Sequence, residues 1–95
     1  MNYNMKEVGT RIKQLRKEKG LTQEQLAENL DITAGTIGKI EIGRTGISID
    51  LLICMSDFFE VPTDYIILGK KSDLRLLKVE IHNIIVKLEE IEKSM

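Results

Sequence analysis

Charged and amide side chains carry whatever chemistry this 95-residue sequence can do. Lys6, Arg11, Lys13, Arg16, Lys17 and Lys19 stand in the first twenty residues against Glu7 and Glu18, a local net charge of +4. Residues 21–69 hold only Lys39 and Arg44 against eight carboxylates, a net of −6. The split suits binding of a polyanion at one end, although the overall charge of −1 supplies no bulk attraction to nucleic acid. Covalent chemistry has less to work with. No nucleophile, base and orienting group are grouped, and no carboxylate pair marks a cleft, so no enzyme activity is expected. The single Cys54 and the single His82 make neither an internal disulfide nor a zinc site, so no metal or other cofactor is expected. Gly69-Lys70-Lys71-Ser72 looks like the tail of a phosphate loop, but the earlier glycine and the preceding strand are missing.

The elements that position these residues read as helices throughout. Apolar residues recur at steps of three and four, and no stretch alternates with period two. Asn4, with Glu7 three residues on, opens a first helix that carries Val8, Ile12 and Leu15 on one face until Gly20. Thr22 and Gln25 make a capping box for a second helix that buries Leu26, Ala27 and Leu30. Thr33 caps a third helix with Ile37 and Ile40 inside, stopped at Gly43. Ser48 and Asp50 begin a fourth that holds Leu52, Ile53, Met55 and Phe59, with Leu52, Met55 and Phe59 serving the core and Cys54 moderately buried. The only proline, Pro62, starts a short fifth helix that ends at Gly69. At 42% apolar and 31% charged, with runs of at most five apolar residues, the chain is neither disordered nor membrane-spanning. The first residues lack the basic-then-apolar layout of a signal peptide, which makes the cytoplasm the expected location.

Residues 70 and 71 read as a hinge that divides residues 1–69 from a C-terminal helix in residues 70–95. There Leu74, Leu77, Ile81, Ile84, Leu88, Ile91 and Met95 fall on alternating steps of three and four, an a/d heptad pattern expected to serve dimerisation or a protein partner. Ile85 lies beside the seam and few opposed charges flank it, so a simple two-stranded coil and docking on the body of a partner both stay open. On helix four, Leu51, Cys54 and Phe58 form a second apolar stripe, expected to pack against the C-terminal helix of the same chain or of a partner.

The run from Arg11 through Gly20-Leu-Thr-Gln-Glu-Gln-Leu-Ala to Leu30, then Thr36-Ile37, Lys39-Ile40-Glu41, Gly43, Val61 and Asp64-Tyr65 to Gly69, resembles the lambda-repressor and Cro type of helix-turn-helix regulator, the XRE family. The resemblance covers residues 5–69. It implies an all-α, five-helix DNA-binding domain whose third helix lies in the major groove of double-stranded DNA, with homodimers on near-palindromic sites. By the family's pattern Gln23 contacts phosphate, Arg44 and Thr45 contact backbone, and Thr33, Ala34, Gly35, Thr36, Gly38 and Lys39 occupy the base-reading positions. Arg11 and Lys13 are candidates for further phosphate contacts. Arg16 and Glu41 match an ion pair that ties helix one to the end of helix three.

The departures bear on function. Of the six base-reading positions only Lys39 has one of the long donors usually placed against base edges, and Gly35 and Gly38 should each cost the helix about 1 kcal/mol relative to alanine. Asp31 stands where the family usually has glycine, and aspartate tolerates the left-handed conformation better than most residues. The expectation is a sequence-specific regulator, most simply a repressor acting as a homodimer. Its alternative is a protein-interaction module, antitoxin-like or a degenerate helix-turn-helix, with weak or no specific DNA binding.

Overall fold

The computed structural model describes residues 3–70 and 74–94, with side chains of the last helix from residue 80 onward. It contains α1 (Met5–Glu18), α2 (Gln23–Leu30), α3 (Ala34–Glu41), α4 (Ile49–Phe59), α5 (Thr63–Leu68) and α6 (Leu74–Ser94), and no strand among the described residues. Lys71 of the expected hinge, the side chains of Leu74 and Leu77, and Met95 fall outside this description.

Short polar side chains start most of the helices where the sequence places them. Asn4 accepts from the amides of Lys6 and Glu7, Thr22 and Gln25 form a reciprocal capping box, and Thr33 and Ser48 accept from the amides of Thr36 and Leu51. Pro62 is the N-cap of α5, one residue earlier than a first-turn position. Asp31 takes up the left-handed conformation at φ 56°, so the turn between α2 and α3 survives without glycine. Glu60 does the same at the end of α4, which nothing in its sequence surroundings announces.

Ten buried apolar residues make one core, Val8, Ile12 and Leu15 from α1 meeting Leu26, Ala27, Ile37, Ile40, Met55, Phe59 and Ile66. Helix α1 runs through the middle and touches both α3 and α5. Its approach to α3 depends on Gly9, because a β-carbon there would fall on the carbonyl oxygens of Ile40 and Glu41.

Helix α4 departs from the sequence expectation. Cys54 is exposed rather than moderately buried, and Ile53 beside it is 51% exposed. Leu51 and Phe58 are half-buried and pack against the core, with the Phe58 ring edge-on to Phe59 at 5.2 Å and the Lys19 ammonium 5.1 Å from its centroid. Two of the three stripe residues are therefore covered by the domain itself, while Cys54 of the same stripe stays open, together with Ile49 and Ile53. Every described side chain of α6 is exposed, so residues 80–94 do not cover α4 of the same chain.

Candidate nucleic-acid interface

Two physical requirements define a helix that reads DNA: one face must be locked into the core, and the opposite face must stand free. Ile37 and Ile40 bury the inner face of α3. Its start is fixed by Thr33, whose Oγ1 accepts from the Thr36 amide at 3.2 Å and lies 2.8 Å from the Thr36 hydroxyl. Its end is fixed by Glu41, which is buried. Arg16 donates through Nε to Glu41 Oε2 at 2.7 Å and through Nη2 to Oε1 at 3.0 Å, while its Nη1 donates to the Leu21 carbonyl at 2.7 Å. This forked pair ties α1, the α1–α2 turn and α3 together, as the family resemblance implies. The hydrogen bond to Glu41 is the first cause that raises the Arg16 pKa above its ordinary value, against a smaller opposing effect of burial.

Gln23 joins the same cluster. It is the first residue of α2, and its Nε2 donates to Glu41 Oε1 at 3.1 Å. Its amide lies beside Gly38, where a β-carbon would sit 3.7 Å from Gln23 Oε1. Sequence spacing gives no sign of this link. One amide hydrogen of Gln23 and the backbone amides of Gln23 and Glu24 stay available to an anion, the Gln25 amide being taken by Thr22.

The opposite face of α3 is open but sparsely furnished. Gly35, Thr36 and Lys39 are exposed and Gly38 is half-exposed, whereas Ala34, expected among the base-reading positions, is half-buried and packs against the core. A β-carbon at Gly35 would approach only Thr33 Oγ1, at 3.9 Å. Arg44 and Thr45 follow directly, their amides donating to the Lys39 carbonyl at 2.9 and 3.4 Å, and both side chains are exposed. Ile42, the C-cap, is 64% exposed and falls in line with Gly35 and Gly38 at helical spacing. Its side chain belongs to this surface, although the sequence reading stopped at Lys39; the three-and-four spacing from Gly38 is the signal that could have found it.

The structure uses Arg11 differently from the sequence expectation. Its Nε donates to the Ile66 carbonyl and its Nη2 to the Ile67 carbonyl, both at 2.8 Å. Half-buried, it closes the C-terminal end of α5 with its charge near the negative end of that short helix. Two of its donors are thus committed inside the domain. Lys13 is exposed on α1. Among the described residues no cluster of three or more His, Cys, Asp or Glu side chains is placed to hold a metal ion, and no helix is long and apolar enough to cross a membrane.

Comparison with known proteins locates this geometry in a family. The sequence model of the helix-turn-helix family matches residues 12–66. The chain is similar to the HTH-type transcriptional activator BcrR of Enterococcus faecalis, 40% identical over 65 residues, covering 68% of this chain and 32% of that protein. It is also similar to the HTH-type transcriptional regulator ImmR of Bacillus subtilis, 30% identical over 87 residues, covering 87% of this chain and 68% of that protein. Among solved structures, SinR, a master regulator for biofilm formation, in complex with DNA, matches with a TM-score of 0.57 at 35% identity, over 62% of this chain and 95% of that one. The chain spans less than a third of the length of BcrR.

Proposed function

This chain belongs to the helix-turn-helix family of the lambda-repressor and Cro type, and we propose that it regulates transcription by binding a specific double-stranded DNA site with α3 in the major groove. The observation that carries the reading is the construction of α3, clamped at both ends and along its inner face while Lys39, Arg44 and Thr45 stand free beside its outer face. Lys39 is the donor for base edges, and Arg44, Thr45, Lys13 and the N-terminal turn of α2 at Gln23 are the phosphate contacts. Two copies act together on a near-palindromic site, and occupancy of that site blocks transcription. The word activator in the name of BcrR belongs to a protein of which this chain matches 32%.

A second reading is favoured by one specific observation. Gly35 and Gly38 carry no side chain and Ile42 is an apolar group open to water on the same face. Such a surface suits a protein partner as well as a groove, and the competing function is an interaction module of antitoxin type. Selection of bound duplexes from a random pool separates the two. Enrichment of a two-fold site with half-sites about 10 base pairs apart supports the regulator. Absence of any duplex binding at low salt would sink it in favour of the interaction module.

A further inference from the structure

The outer face of α3 is narrow. At about 100° per residue, Gly35, Gly38, Lys39 and Ile42 share one arc roughly 100° wide, opposite the buried Ile37 and Ile40. Two of these four residues have no side chain, so Lys39 and Ile42 alone project from the arc. Ile42 keeps 64% of its surface exposed.

A single exposed isoleucine is ordinary, but this one is firmly held. Its amide donates to the Gly38 carbonyl at 3.2 Å. The chain then turns back on α3, the Gly43 amide donating to the Ile40 carbonyl at 3.0 Å and the Arg44 amide to the Lys39 carbonyl at 2.9 Å. Gly43 makes the reversal at φ 76°, so close to α1 that an added β-carbon would strike both the backbone and the side chain of Lys6. The C-cap of α3 is thus fixed in place, and the β-branched side chain on it has few rotamers of its own.

Chemistry narrows what such a group can recognise. Isoleucine neither donates nor accepts a hydrogen bond, so the polar base edges open to Lys39 give it nothing to bind. In the major groove the apolar feature that differs between bases is the 5-methyl group of thymine. Cytosine in the same place offers only C5–H, and an apolar contact with deoxyribose would be the same for every base.

We propose that Ile42 is a specificity-determining residue that packs on a thymine methyl in each half-site. The DNA class that this domain selects then combines a base hydrogen-bonded by Lys39 with a thymine read by Ile42. The inference rests on the DNA reading above, and it extends base recognition past Lys39, where the family pattern ends.

The test is a protein–base cycle on the duplex selected from the random pool. Each thymine is replaced in turn, in both half-sites, by deoxyuridine, which removes the methyl group and keeps the base pair. At one position the parent should lose about fourfold in affinity per half-site, the worth of one buried methyl. Ile42→Ala should bind the unmodified duplex more weakly and show no further loss at that position, while its losses at other thymines persist. Ile42→Val, still branched and apolar, should keep the sensitivity. A selected site without thymine, a parent indifferent to every deoxyuridine, or the same losses in Ile42→Ala would overturn the proposal and leave the DNA reading intact. Failure to bind any duplex at low salt would overturn both, and return Ile42 to the surface of an interaction module.

Discussion

Glu41 receives three donors at the end of α3, two from Arg16 and one from Gln23, in a site where its side chain keeps 1% of its surface exposed. Replacing it by alanine leaves the Arg16 guanidinium buried without its counter-charge, a change that costs about 3–5 kcal/mol for pairs of this kind. Urea melts of Glu41→Ala should show that loss, and a change under about 1 kcal/mol would mean that the pair contributes little to the fold. The arginine side of the pair offers no pH switch. Its pKa is raised, so the stability linked to it is fully present below the ordinary arginine value and is lost only in strong base. Lys39 plays the opposite part, its side chain exposed and outside the hydrogen-bond network of the described residues. Lys39→Ala should leave the melt within about 0.5 kcal/mol of the parent. Its affinity for the selected site should fall roughly 5- to 150-fold, with little change on non-specific duplex, if Lys39 reads a base. An equal loss on both duplexes would reassign it to phosphate.

Helix α3 raises a different question, since two interior glycines weaken an element that the rest of the domain works to hold. At Gly38 an added β-carbon meets Gln23 at ordinary contact distance, and at Gly35 it enters open space. Gly35→Ala should therefore stabilise the domain by about 1 kcal/mol in thermal or urea melts. If the bare backbone is there so that α3 can approach the groove closely, the same change should weaken specific DNA binding. Stability and affinity rising together would show that no close approach is made. Much of this level was legible in the sequence: Asn4, Thr22, Thr33 and Ser48 cap the helices they were expected to cap, because capping depends on residues within three positions. The Arg16–Glu41 pair came from the family pattern. What escaped depends on distant chain. Gly9 matters only because α3 crosses it, Arg11 serves α5 because Ile66 and Ile67 end beside it, and the exposure of Ile53 and Cys54 is set by which neighbours α4 meets. Periodicity alone gave helix four two apolar faces and could not say which one the core would take.

Across the whole molecule the two charge signs are separated. A net charge of −1 gives little long-range attraction to DNA, so binding has to come from the few cations beside α3. Lys13, Lys39 and Arg44 are exposed, while Arg11 and Arg16 are held by hydrogen bonds within the fold. With Lys39 directed at base edges, that leaves about two phosphate-directed cations in each copy, Lys13 and Arg44, and about four in a dimer, for a slope of log affinity against log salt near −4. A slope near −10 would mean that Lys6, Lys17 and Lys19 also reach the backbone, with the basic end of α1 lying along the duplex. Arg44→Ala discriminates further. One phosphate cation lost from each copy should make the slope about two units shallower and weaken specific and non-specific duplexes alike, whereas an unchanged slope would place Arg44 outside the interface.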